Sequence, residues 1–254
     1  MASGSSTRDA RQAKAAQMRA AAAKAEARRR TLLVSGVVLA LVVVVVGVFV
    51  VVNTTRRDNA TSSAANPANI TDNAFVDGES SAPVTITVYE DFQCPYCAQF
   101  EAANRTQMAQ WVKDGDVKVE YHPIAFLDKA STDEYSTRSL NAFGAVVNSS
   151  PDAALDFHNL LFENQPAEGG AGLSDDQLVA YAKEAGADEA AVRTAVDEAT
   201  YEGWTKRVTE ASSKAGVTGT PTIMVDGQTV NLTAADDTAT LATAVQNALD
   251  AAGK

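Results

Sequence analysis

The chain has 254 residues, 46% of them hydrophobic and 21% charged, an ordinary balance for a protein that buries a core. Its formal charge at neutral pH is −11, and setting aside Asp9, Glu26 and the eight basic residues of the amino-terminal segment leaves 30 acids against 13 bases. So acidic a remainder excludes a nucleic-acid binder, which needs clustered Lys and Arg to neutralise phosphates.

The elements follow in chain order. Residues 1–31 carry Arg8, Arg11, Lys14, Arg19, Lys24, Arg28, Arg29 and Arg30 and are expected to form a basic cytoplasmic segment. From Leu32 to Val52 run 21 residues without a charge. At about 1.5 Å per helical residue this length spans the roughly 30 Å hydrocarbon layer. A secretory signal has an apolar region of only about 7 to 15 residues, so the run reads as a retained transmembrane anchor, with cleavage near Ala64-Ala65 the alternative. Only Arg56 and Arg57 follow it closely, and the excess of basic residues on the other side places the amino terminus in the cytoplasm. Residues 53–69, rich in Asn, Thr, Ser and Ala, read as a flexible linker.

A globular domain is expected over 70–254. Val84 to Tyr89, "VTITVY", alternates as a strand does. Pro95 suits the first position of a helix running to about Val112, with Phe100, Ala103, Met108 and Trp111 able to face a core. Asp116 to Ile124 is a second strand. A helical region follows from about 131 to 216, broken at "NSSPD" and "NQPAEGGAGLSDD". Two short strands then flank Asp226-Gly227, a dipeptide that favours a tight hairpin, and a helix over about 236–251 ends the domain. Strand, helix, strand, helices, hairpin and helix make an α/β layered fold.

Cys94 and Cys97 are the only cysteines of the chain. Such a pair can hold half a zinc site, staple a loop or exchange a disulfide. A closed zinc site wants four ligands, and beyond the cysteines only His122 and His158 remain, one in a strand and one in a distant helix, so no metal is expected. A staple closing so small a loop removes little unfolded-state entropy. Exchange fits the position, because Cys94 lies where a strand turns into a helix. Unpaired N–H groups and the positive end of the helix dipole stabilise a thiolate there, lowering a thiol pKa into the range of about 3.5 to 7.5. Cys94 is therefore the expected nucleophile, and Cys97, nearly one turn further in, the resolving thiol.

The segment "FQCPYC" after a strand, with "GTPT" at Gly219–Thr222 before the hairpin, resembles thioredoxin-fold proteins. The long helical insertion and the anchor make the chain more similar to the DsbA-like exported thiol:disulfide oxidoreductases. The resemblance covers about residues 70–252. It implies that Pro95 and Tyr96 form the active-site dipeptide, that the Thr220-Pro221 peptide is cis and packs against the cysteine pair, and that the Gly219, Thr220 and Pro221 loop receives an extended substrate strand. It further implies an oxidase that passes its disulfide to reduced exported proteins and is itself reoxidised by a membrane redox partner, without any cofactor. Many family members place a glutamate six residues before the first cysteine, where this chain has Val88. Glu90 and Asp91 are the candidates for that proton-buffering role, helix capping and solvent exposure being the plainer expectations for them. An isomerase or reductase on the same fold, a glutaredoxin and a non-enzymatic tethered binding module are the rival readings.

Overall fold

The computed structural model describes residues 65–254. The transmembrane segment, the basic segment and most of the linker read from the sequence lie outside these residues. Among the described residues, no helix is long and apolar enough to cross a membrane.

A five-stranded mixed sheet organises the domain: β1 (Phe75–Asp77), β2 (Val84–Glu90), β3 (Val117–Pro123), β4 (Thr222–Val225) and β5 (Gln228–Thr229), in the order β1-β3-β2-β4-β5. Only β2 and β3 run parallel, in a register that sets Val84 beside Val117 and Glu90 beside Pro123. The parallel pair needs a crossover, and helix α1 (Pro95–Lys113) supplies it. Every second residue of β2, from Val84 to Glu90, is buried. Five more helices, the first five after β3, form the insertion: α2 (Tyr135–Ser149), α3 (Ala154–Glu163), α4 (Asp175–Glu184), α5 (Glu189–Asp197) and α6 (Glu202–Lys214). The carboxyl-terminal α7 (Thr238–Ala251) buries Leu241, Val245 and Leu249.

The expected strands, the CxxC helix and the hairpin all form. Asp226 and Gly227 both adopt positive φ, 47° and 76°, as a two-residue turn between β4 and β5 requires. Asp226 also accepts a hydrogen bond from the Thr85 amide at 2.8 Å, tying the turn to β2. Of the face expected on α1, Phe100 and Met108 are buried, whereas Ala103 and Trp111 are half-buried. The helix also buries Glu101 and Asn104.

Three local features differ from the sequence reading. β1 was not anticipated: three residues carry too little periodicity to register, and it forms by antiparallel pairing with β3, Phe75 opposite Tyr121. The insertion breaks at two further points, around Gly186 and at Ala199, both of which adopt positive φ. The end of the supposed linker is docked instead of free: Pro67 is buried, the Ala68 amide donates to Asn148 Oδ1, and Asn69 Nδ2 donates to the Val147 carbonyl.

Apolar side chains fall into two clusters. One joins Val84, Ile86, Val88, Val117 and Val119 of the sheet to Phe100 and Met108 of α1 and to α7. The other fills the helical insertion and extends to Phe92, Cys94 and Cys97. The cysteine pair thus sits where the insertion meets the sheet layer.

Gly172, in the loop before α4, has φ +75°, and a Cβ there would lie 2.3 Å from the ring of the fully buried Tyr135. Gly186, with φ +93°, has nothing within 4 Å. Gly172→Ala should therefore combine left-handed strain with overpacking and cost about 2 to 4 kcal/mol, against about 1 to 2 for Gly186→Ala. Urea unfolding of both variants checks the difference; equal losses would show that the contact with Tyr135 is relieved without cost.

Candidate active site

Glu90 ends β2, and the next four residues carry the chain to α1. Asp91 pins this turn: its Oδ1 accepts from the Gln93 amide at 2.9 Å and the Ser136 hydroxyl at 2.7 Å, and its Oδ2 accepts from the Leu127 amide at 2.9 Å. Its carbonyl accepts from the Cys94 amide. Burial raises the Asp91 pKa to about 6 against the opposing pull of these hydrogen bonds. Across the turn, Gln165, from the loop after α3, donates to the carbonyls of Phe92 and Cys94, both at 3.0 Å.

Cys94 is the N-cap residue of α1, with φ −77° and ψ 115°, and Pro95 follows in the first turn. No side chain caps the helix and no acid occupies its first turn. The free amides there are therefore directed at the Cys94 sulfur. Both cysteines are thiols. The Cys94 pKa is lowered from 9.0 to about 6, first by a hydrogen bond with the Cys97 side chain, then by the Thr220 side chain and the amides of Cys97 and Tyr96, with burial opposing. In the neutral thiol, Cys94 Sγ donates to the Thr220 carbonyl at 3.3 Å. Cys97 behaves oppositely. It is wholly buried, and burial, reinforced by Cys94 and Glu90, raises its pKa well above 9.0.

The Thr220-Pro221 peptide is cis. Thr220 and Pro221 line an open cavity of about 390 Å³ together with Tyr96, Thr222, Val230 and Leu232. Tyr96 is 62% exposed, the one large apolar side chain so exposed among the described residues. Gly219 borders this loop, its carbonyl accepting from the Thr222 hydroxyl at 2.8 Å.

Thr220, Glu90 and Asp91 act directly on the pair, Pro221 and Tyr96 line the groove with Thr220, and Gly219 lies next to that loop, but two expectations change. Neither Glu90 nor Asp91 faces water; both are fully buried. Asp91 is occupied in holding the turn, whereas Glu90 Oε1 lies 2.6 Å from Nε2 of His158. His158, placed by the sequence in a distant helix, is a core residue that reaches Glu90. The sequence reading also missed Glu101, Ser136 and Gln165. Glu101 was legible in principle, because it follows Cys97 by four residues and so shares its helix face. Ser136 and Gln165 had no local signal, since their partners lie 45 and 71 to 73 residues away.

A thiol favoured as thiolate, a buried thiol behind it and an open groove of mixed polarity beside them make a dithiol–disulfide exchange centre on a thioredoxin-like fold. Residues 71–247 match the family model described as Thioredoxin, and the protein belongs to that family. Among solved structures, it is similar to MdbA, a thiol-disulfide oxidoreductase from Actinomyces oris, with 26% identity and a TM-score of 0.62, over 74% of this chain and 95% of that one. It is also similar to reduced DsbA from Mycobacterium tuberculosis, with 26% identity and a TM-score of 0.60, over 71% and 97% of the two chains. BdbD from Bacillus subtilis shares the fold at 23% identity and a TM-score of 0.63, over 74% and 97%. Among curated proteins, the serine/threonine-protein kinase PknE of Mycobacterium tuberculosis is 29% identical over 170 residues, 64% of this chain but only 30% of the kinase. Disulfide bond formation protein D of Bacillus subtilis is 26% identical over 155 residues, 60% of this chain and 68% of that protein.

The two sulfurs should separate cleanly in reactivity. Alkylation of the reduced protein by iodoacetamide should occur at Cys94 alone and rise through a midpoint near about 6, as the thiolate forms with increasing pH. Peptide mapping checks the site. Comparable labelling of Cys97, or a midpoint near that of an ordinary thiol, would remove the assignment of Cys94 as nucleophile.

Proposed function

We propose that the protein is an exported, membrane-anchored thiol:disulfide oxidoreductase that works as an oxidase, transferring the Cys94–Cys97 disulfide to reduced secreted or cell-envelope proteins. The observation that carries this reading is the opposed environment of the two sulfurs. A Cys94 thiolate stable at neutral pH lowers the free energy of the dithiol form, and a pair whose reduced form is stabilised takes electrons from its partners. The sign follows from linkage. A thiol whose folded pKa is depressed contributes stability that is fully present above the unfolded pKa and lost as pH falls through about 6. The disulfide form has no such contribution.

In the forward reaction a client thiolate attacks Cys94 Sγ, and the electron pair of the broken S–S bond leaves on Cys97. A second client thiolate then attacks the client sulfur of the mixed disulfide, and Cys94 leaves as the thiolate it favours. The client is oxidised by two electrons and the cysteine pair is reduced. A membrane redox partner restores the disulfide. The groove formed by Tyr96, Thr220, Pro221 and Val230 receives the client beside Cys94, where the Thr220 carbonyl that accepts from the Cys94 thiol can pair with an extended segment once that thiol is in a disulfide. Glu90, with Oε2 making no hydrogen bond, is the group that exchanges a proton with Cys97; Asp91, bound to three donors, holds the turn.

The uncharged run 32–52 supports the anchoring, and the eight basic residues before it support a cytoplasmic amino terminus with the catalytic domain on the far side. MdbA and DsbA, with which this chain shares its fold and 26% identity, support the chemistry.

Two experiments test the proposal. In Cys97→Ala the Cys94 thiolate can still attack a client disulfide, releasing one client thiolate, and with no Cys97 to displace the client the mixed disulfide should accumulate, while Cys94→Ser should trap none and oxidise no reduced client. A Cys97→Ala protein that traps nothing, alongside wild type that fails to oxidise a reduced, unfolded substrate, would favour the binding-module reading. Alkaline phosphatase fused to the carboxyl terminus should be active only in export-competent cells, and an inactive fusion would reverse the topology.

A further inference from the structure

Near Cys97, on which Glu90 acts electrostatically, three ionisable groups from three elements meet: Glu90 at the end of β2, Glu101 on α1 and His158 on α3. Their ligating atoms all lie within 4.8 Å of one another, and all three residues are fully buried. The His158 ring is walled by Phe92, Tyr121, Phe143 and Phe162. Only one contact in the group is a hydrogen bond, the 2.6 Å approach of His158 Nε2 to Glu90 Oε1. Glu90 Oε2 and both oxygens of Glu101 have no hydrogen-bond partner. Glu101 lies one helical turn beyond Cys97 on the same face of α1.

Two carboxylates against a single imidazolium leave one uncompensated negative charge in an apolar surround, which raises the affinity of the group for one further proton or a cation. The 2.6 Å His158–Glu90 contact is that of two atoms sharing a proton, shorter than the about 3.3 Å between zinc ligands held at about 2.0 Å in tetrahedral array.

We propose that Glu101 and His158 convert Glu90 from a single base into a three-group proton store, loaded when Cys94–Cys97 is a disulfide and discharged onto Cys97 when it is reduced. The inference rests on the exchange reaction of the preceding subsection. Loaded, the group is one imidazolium, one carboxylate and one carboxylic acid, neutral in sum. When client attack at Cys94 breaks the S–S bond, Cys97 leaves as a buried thiolate, and the carboxylic proton passes through Glu90 Oε2 to its sulfur. The group is left with one imidazolium and two carboxylates. Reoxidation reverses the transfer, so no proton has to reach the buried sulfur from water. Without Glu101, Glu90 and His158 would form a plain ion pair whose only proton to give is the one that holds the pair together.

The charges facing the store are few. Glu101 meets His158, Glu90 and Arg105, and burial raises its pKa to about 7. Burial alone would lower the His158 pKa, but Glu90 and Glu101 outweigh it and the net shift is upward. Tyr121 from β3 faces both glutamates as well as Asp77 and Arg105, and its hydroxyl stays protonated because burial raises its pKa well above 10.0. Cys97 faces Cys94 and Glu90.

The test follows the exchange of oxidised protein with glutathione against pH, in wild type, Glu101→Gln, Glu101→Asp and His158→Gln. Glu101→Gln keeps the shape and removes the titrating group. It should slow the glutathione attack on the order of 10²-fold at neutral pH and flatten the pH profile there. Glu101→Asp should restore part of both, and His158→Gln should shift the profile. Carbon NMR of the labelled carboxyl should find Glu101 protonated in the disulfide form and ionised in the dithiol form. One protonation state in both forms, an unchanged rate profile in folded Glu101→Gln, or one equivalent of divalent metal retained by wild type and lost from that variant would each overturn the store. Wild-type protein that does not exchange with glutathione at all would instead overturn the oxidoreductase reading.

Discussion

A helix that begins on one cysteine and buries the next gives two chemically identical groups opposed proton affinities less than a turn apart. The amides at the start of α1 face Cys94 with no acid in the first turn to compete, while Cys97 has no access to solvent. The turn from Glu90 to Cys94 fixes that start, and it is held from outside itself, by Asp91 accepting from Leu127 and Ser136 and by Gln165 donating to two of its carbonyls.

The helical insertion is therefore part of the site and not a cover over it. Ser136 comes from α2, His158 from α3 and Gln165 from the loop after α3. Phe143 and Phe162, also from the insertion, wall the imidazole against which Glu90 is paired. The core of the insertion reaches the cysteines themselves, so a loosened insertion would be felt at the sulfurs. The sheet side contributes the opposite half: β4 carries the loop that presents Thr220, and the Asp226 turn anchors that strand pair on β2.

One buried stripe of α1 mixes apolar and polar side chains: Phe100 and Met108 join the core of the sheet layer, Cys97 reaches the core of the insertion, Glu101 meets Glu90 and His158, and Asn104 donates to the Phe100 carbonyl. A carboxylate with neither oxygen bonded is an expensive group to keep in a core, and a leucine there would pack without that penalty. Its retention next to an imidazole and a second carboxylate ties the energetic cost to proton traffic at Cys97.

The strands β2 and β3, the CxxC helix and the Asp226-Gly227 hairpin were legible in the sequence because each rests on local physics: alternation, a proline suited to the first turn, a dipeptide that accepts positive φ. The cysteine pair at a strand-to-helix turn pointed to exchange chemistry with Cys94 as the expected nucleophile. The resemblance to thioredoxin-fold proteins, carried by the order of the two motifs, implied the roles of Tyr96, Thr220 and Pro221. Tertiary structure decided what surrounds them, since β1 exists only through its pairing with β3, Gln165 and Ser136 act across long stretches of chain, and Glu90 finds its partner 68 residues away in His158. Periodicity marks a buried position without saying what faces it, and a carboxylate's role inside a protein depends on those neighbours. The sequence thus determined where the sulfur chemistry lies, and only the packing of the insertion against the sheet decided which acid stands behind it and which one holds the turn.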